Sequence, residues 1–302
     1  MTTAAGGAEI CAAFEGSRAM GDEVLRSPLY DRHVAAGAEM AVEAGWQMPA
    51  RYGEVAEEMR QVRSRAGAFD LTHYGRVRVR GGGAVELLSR LCTADAVHQE
   101  DDTAIDTLLC NDSGGIVDLC RLLRLEGFWV LVTSPECRLR VLGHAQAQAE
   151  QFGAKVDDQT EKVAAIAVIG PEAPRLLDAV LPIKVSHLPD DHAAVGSVLV
   201  AKYIAVRRNV GDLWGIEVML THMLFGQAWR FITDKAGANA IAPCGMEAWE
   251  SLRIAAGVPR HGREFDESTD PFAAGLEGLV SFDHEFIGAD ALARLRDKES
   301  PR

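Results

Sequence analysis

A chain of 302 residues, 48% of them hydrophobic, is long enough for one large domain or a few small ones, each burying a real core. The formal net charge of −13 argues against phosphate backbones and anionic lipid surfaces as partners. The six cysteines form no CxxC pair and have no histidine at metal-ligand spacing, so the expectation is free thiols in a reducing cytoplasm, no structural metal and no nucleic-acid partner.

Residues 1–22 are rich in Ala, Gly and Thr and lack the basic start and apolar core of a secretory signal, which predicts a mobile tail over residues 1–26. No window is apolar for long enough to cross a bilayer, so a soluble protein without a membrane partner is expected. Ordered chain is expected from Ser27-Pro28-Leu29-Tyr30, followed by a packed elbow at Gly45-Trp46-Gln47-Met48-Pro49. Val55, Met59 and Val62 stand at helical spacing, and the helix they predict ends on basic residues with Gly67 as its stop signal. Arg76-Val77-Arg78-Val79-Arg80 alternates, which predicts a strand with its arginines on a wet face. A short helix is expected over residues 83–91. TAIDTLLC, GIVDLCRLLRL and FWVLVTS then read as three strands of an antiparallel meander, turned at residues 111–115 and at Glu126-Gly127.

From Pro135 to about Phe152 a helix is expected, and VAAIAVIG is a buried strand running into Gly170-Pro171, where another helix starts and reaches Leu181. SVLVAKYIAVRR and WGIEVML read as strands. LTHMLFGQAWRFITDKAG and MEAWESLRIAAG read as helices, the second closed by Gly257. With no internal repeat and no low-complexity linker after residue 26, the pieces predict one α+β body.

In their order and separations these pieces resemble the T-protein of the glycine cleavage system, the aminomethyltransferase family that works on tetrahydrofolate. The likeness runs from Ser27-Pro28-Leu29-Tyr30-Asp31 through residues 44–49, Phe69-Asp70-Leu71-Thr72-His73, Asn111 to Asp118, Ile169-Gly170-Pro171 and residues 251–257, closing on Phe286-Ile287-Gly288. The resemblance implies a cloverleaf of three lobes around an opening that buries the pteridine. A full member continues into a C-terminal barrel lobe. This sequence ends shortly after Ala291-Leu292-Ala293, so that lobe is expected to be absent and the cloverleaf reduced to two lobes. Residues 27–62 with 145–302 would form the first lobe and residues 63–144 an inserted, β-rich second. In this family the cofactor's N5 attacks an activated one-carbon unit, so the protein must hold the pterin edge, position N5 and manage one proton.

The resemblance carries specific positions with it. Glu217 matches the family's pterin-reading glutamate, and a carboxylate suits the paired donors of a pterin edge; alternation alone also allows a surface glutamate opposite Ile216 and Val218. After the glycine turn the family carries two consecutive aspartates and assigns catalysis to the second. Here they are Asp118 and Leu119, and neighbours on a strand point to opposite faces, so Asp118 replaces the missing acid only through a bulge or a register slip. Asp118 is therefore either a displaced acid-base group or a strand aspartate paired with Arg121, Arg124 or a turn amide.

Residues 206–213 align without gaps to the family's Arg-Thr-Gly-Tyr-Thr-Gly-Glu loop, where Arg207 survives and the tyrosine position is Val210. The family arginine that grips the folate's glutamate tail corresponds to Trp249, which either stacks on an aromatic ligand or sits in the core. Tyr74 takes the place of a methionine beside the pterin and Ser134 that of an asparagine. Arg207, Arg208, Arg260 and Arg263 are left as candidates to meet a polyglutamate tail, and His73 and His261 read as structural.

Three functions follow as expectations. The first is a tetrahydrofolate-dependent transferase moving a methyl or aminomethyl group to or from a small molecule, and not standard glycine cleavage. The second is a repurposed fold that guides a rearrangement or cyclisation. The third is a folate-binding accessory protein, for which the cysteine signature is missing at residues 281–288. Loss of the third lobe would leave a surface that a second copy could cover, giving a homodimer.

Overall fold

The computed structural model describes residues 24–181, 183–198, 201–234, 237 and 240–299. Residues 1–23 of the expected tail lie outside the described residues, whereas Leu25 and Arg26 form a short strand, β1, that pairs in parallel with the elbow strand. A small three-stranded sheet in the order β1-β3-β2 results, with β2 at Glu39–Glu43 and β3 at Trp46–Arg51. The β2–β3 hairpin turns through Ala44 and Gly45, both at positive φ (47° and 81°), as a tight two-residue turn between right-twisted strands requires. Helix α1 (Tyr30–Ala35) precedes this hairpin and α2 (Val55–Ser64) follows it.

Gly67 does not cap α2, as its sequence position suggests; it opens β4 (Gly67–Asp70), a strand buried at every residue. A Cβ there would sit 2.6 Å from Val62 Cγ2 and 2.7 Å from Cys244 Sγ, so the glycine permits close packing and does not end the helix. A four-residue link leads to β5 (Gly75–Arg80), which joins a five-stranded sheet in the order β6-β7-β8-β5-β9. Its other strands are β6 (Thr103–Cys110), β7 (Ile116–Leu125), β8 (Phe128–Thr133) and β9 (Lys155–Asp158). Helices α3 (Ala84–Leu91) and α4 (Arg138–Phe152) cover one face, burying Leu87, Leu88, Val141 and Ala145 against Val77, Val79, Leu122 and Leu131.

The expectation that the alternating arginines of β5 share a wet face fails at its first member. Arg78 and Arg80 pair with Asp157, but Arg76 is 1% exposed and donates to the carbonyls of Leu71, Thr72 and Tyr74. The link from β4 folds over this end of the strand and offers three carbonyls to the guanidinium, which is why burial is tolerated.

The third sheet has six strands in the order β11-β12-β13-β10-β4-β14. The additional ranges are β10 (Val163–Ile169), β11 (Ala193–Val198), β12 (Ala201–Arg207), β13 (Gly215–Thr221) and β14 (Ala242–Pro243). Strand β10 is covered on both sides, which explains its unbroken apolar run. Ala164, Ile166 and Val168 face α5 (Ala173–Val180) and α6 (His222–Thr233). Ala165, Ala167 and Ile169 face a layer shared with Leu123, Leu125, Val130 and Val132 of the five-stranded sheet and with Trp249 and Leu252 of α7 (Met246–Ala255). The two large sheets thus meet through one apolar layer in a mixed α+β fold. Helix α8 (Ala289–Glu299) seats Leu292 among Leu108, Ile116, Phe265 and Phe286.

Candidate functional site

Beside that shared layer lies a cavity of about 330 Å³, within the range of small-molecule pockets. The central strand of its wall is β7. Leu119 and Arg121 line the cavity, while Asp118 does not. A bulge precedes them, since Leu109 faces Asp118 and Cys110 faces Ile116, leaving Val117 without a partner; it does not bring Asp118 round to the cavity side.

Asp118, the candidate acid, is wholly buried on the helix-covered side. Its Oδ2 accepts from the Ser134 amide at 2.9 Å and from Cys120 Sγ at 3.3 Å, and its Oδ1 has no partner. Neither arginine expected as its partner reaches it, because Arg121 binds Asp106 and Asp191 and Arg124 binds Asp101. Burial pushes the Asp118 carboxyl up to about 6, against the smaller pull of Ser134 and Cys120.

Another part of the lining is aromatic. Trp249 Nε1 donates to the Tyr74 hydroxyl at 2.9 Å, with the two rings 6.5 Å apart and nearly perpendicular, and Phe69 packs behind Trp249 at 5.3 Å. Burial raises the Tyr74 phenol to about 12, so it stays protonated at neutral pH. Ser134 and Val210 complete the lining on the β8 and β12 sides. Tyr74, Leu119, Ser134, Val210 and Trp249, all singled out in the sequence, therefore surround one space.

Glu217 and Arg207 lie behind that lining. Glu217 sits on β13 with its side chain 6% exposed, and Arg208 Nη1 donates to its Oε1 at 2.9 Å. The β12–β13 register, which sets Val206 opposite Glu217 and passes a backbone bond from Arg208 to Gly215, brings these two residues together. Arg208 lines the cavity and Glu217 does not. Arg207 stacks on Trp214 with its guanidinium 4.3 Å from the ring centre, donates to the Gly215 carbonyl and pairs with Asp190 at 3.1 Å.

Three of the four arginines expected to be free for an anionic tail are thus already engaged. Arg260 holds Glu43 and Glu136 at 2.7 Å each and Glu250 at 3.4 Å. Arg253, at the same rim, is held by Glu250 and Glu264. Burial pushes the Glu43 carboxyl up, but His73 and Arg260 together hold it down at about 2. His73 is 1% exposed, with Nε2 3.7 Å from Glu43 and neither ring nitrogen hydrogen-bonded. Sequence reasoning missed Asp106, Asp190 and Asp191, and named Arg121 only as a partner for Asp118. Once Leu119 is placed at the cavity, alternation puts Arg121 there as well, whereas the aspartates carry no local signal. Among the described residues no group of three or more His, Cys, Asp or Glu is placed to hold a metal ion, and no helix is long and apolar enough to cross a membrane.

The sequence profile of the GCVT N-terminal domain matches residues 29–284. An aminomethyltransferase of Rubrobacter xylanophilus is 36% identical over 281 residues, covering 90% of this chain and 73% of the relative. One of Streptomyces coelicolor is 32% identical over 283 residues, covering 93% and 76%. The crystal structure of the glycine cleavage system aminomethyltransferase T from Bartonella henselae superposes with a TM-score of 0.82 at 28% identity, covering 91% of this chain and 75% of that one. A match over most of the chain in profile, in sequence and in three dimensions has one reading: the chain belongs to the aminomethyltransferase family defined by the GCVT N-terminal domain.

Proposed function

We propose that this chain binds a tetrahydrofolate-type cofactor in the cavity between Leu119 and the Tyr74–Trp249 pair and serves as a one-carbon transferase acting on a small molecule. The observation that carries the reading is the coincidence, in one space of about 330 Å³, of an aromatic wall, an apolar wall and a buried carboxylate one guanidinium away. Glu217 would hold the amino-pyrimidine edge, Tyr74 and Trp249 would flank the ring, and Leu119 would supply an apolar part of the wall. Bound there, tetrahydrofolate supplies the N5 that gives or takes the one-carbon unit.

The finer reading is a reaction other than standard glycine cleavage. Leu119 can neither take nor give a proton, and Asp118 faces away behind it. The lining therefore suits a transfer whose leaving group needs no proton or whose substrate carries its own acid. A second reading, a repurposed pocket that has lost folate chemistry, is favoured by one specific observation: the pterin-reading carboxylate already has an internal partner in Arg208.

Thermal unfolding with and without tetrahydrofolate tests the choice. Saturation at 100 times Kd is worth about 2.7 kcal/mol, hence a rise in Tm of about 4 °C for a chain of this size, and Glu217→Ala should abolish the rise whatever it does to the unliganded protein. No shift in the unsubstituted protein at saturating cofactor would retire the transferase reading in favour of the repurposed pocket.

A further inference from the structure

Resting on the pterin reading of the cavity, we infer that Arg208 is its specificity-determining residue: a guanidinium from within the chain takes the place against Glu217 that the guanidine-like edge of a pterin would take. Two observations support this. The carboxylate is nearly inaccessible and accepts Arg208 Nη1 at 2.9 Å, and of the two partners only Arg208 lines the cavity. The guanidinium thus stands between ligand space and the acid. Chemically the two donors are alike, since an amino-pyrimidine edge and a guanidinium both present neighbouring N–H groups on one carbon in a planar fork that a carboxylate accepts.

A ligand with such a fork reaches Glu217 by displacing Arg208; a ligand without one leaves the internal pair in place. Displacement has a destination, because Asp106 lines the same cavity and already acts on Arg208 through its charge, with Asp190 and Asp191 beside it. A guanidinium swung toward those aspartates stays paired, so the exchange does not strand a charge. Arg208 therefore lowers the affinity for every ligand that must read Glu217 and discriminates by fork chemistry, not by size.

The test uses the full chain with substitutions Arg208→Ala and Arg208→Lys, and two probes: tetrahydrofolate by calorimetry and methylguanidinium by thermal shift. Removing the competitor should tighten tetrahydrofolate binding at least tenfold in Arg208→Ala. Millimolar methylguanidinium should raise Tm by a few degrees in Arg208→Ala, by much less in the unsubstituted protein, where it must displace a tethered guanidinium, and not at all in Arg208→Ala/Glu217→Gln. Arg208→Lys, which keeps a buried charge pair but not the planar fork, should fall between and guards against a variant that does not fold. Unchanged or weaker tetrahydrofolate binding in the Arg208 variants, with binding intact in the unsubstituted protein, overturns the inference. A methylguanidinium response without tetrahydrofolate binding to any variant retires the folate reading and leaves Arg208 as the occupant of a guanidine site. No response to either probe overturns both.

Discussion

Asp70 at the end of β4 and Asp118 in β7 are equally buried and differ in almost everything else. Asp70 Oδ2 is bound by Ser27 Oγ and by His33 Nε2 at 3.0 Å, and Oδ1 accepts from the Thr72 amide at 2.9 Å and from its hydroxyl. The network continues from His33 Nδ1 to the Tyr52 hydroxyl. Burial pushes the Asp70 carboxyl up, but His33, Ser27 and Thr72 together hold it below its ordinary value. Asp118 has two donors on one oxygen and none on the other, and its carboxyl rises to about 6. Burial alone therefore does not decide whether an interior carboxyl is charged; the number and kind of donors around it do.

The contrast breaks if Asp70 proves dispensable. Asp70→Ala strands His33, Ser27 and Thr72 in the interior and should cost about 3–5 kcal/mol, read as a loss of order 10 °C in Tm. Because the folded-state carboxyl of Asp70 is depressed, its contribution is complete above about pH 4 and lost as pH falls through the depressed value.

Asp118 should behave with the opposite sign. A carboxyl whose folded value is raised from 3.8 to about 6 makes the native state bind more protons between those values, so stability falls as pH rises from about 4 to 6 and stays lower above it. Asp118→Asn keeps an acceptor for the Ser134 amide and removes the charge. It should therefore gain about 1–3 kcal/mol at pH 8 and nearly nothing at pH 4 in urea unfolding. A loss of stability at pH 8, or a gain independent of pH, would mean that Asp118 is held charged after all.

The smallest effect sharpens the comparison without breaking it. Ser27→Ala removes one of the four donors to Asp70 and the hydroxyl that accepts the Leu29 amide, and should cost about 1 kcal/mol in the same unfolding experiment.

What the sequence discloses about these regions follows the range of the interactions. The meander of residues 103–133 is legible because alternation and turn chemistry are local, and its strands fall where the pattern places them. The six-stranded sheet is not legible, because β4 has four residues, β14 has two, and β4 is wedged between β14 and the much later β10. Part of the cavity lining, Tyr74, Leu119, Ser134, Val210 and Trp249, is legible through the family resemblance, whereas its aspartates are not. The Arg208–Glu217 pair is not, because nine residues separate the partners and only the β12–β13 register closes that distance. Arg76 escaped for a similar reason: three carbonyls of a folded-back link, invisible to alternation, decide that it is inside.

The position of β4 has a consequence for how the chain comes into being. Emerging from a ribosome, residues 67–70 find neither neighbour, since residues 163–169 and 242–243 have yet to be made. The five-stranded sheet, drawn wholly from residues 75–158, needs neither of them: its last strand is made just before residue 163 and long before residue 242. During synthesis the waiting strand is an apolar edge in need of cover, and a chain truncated between residues 158 and 163 would carry one finished sheet and one sticky end.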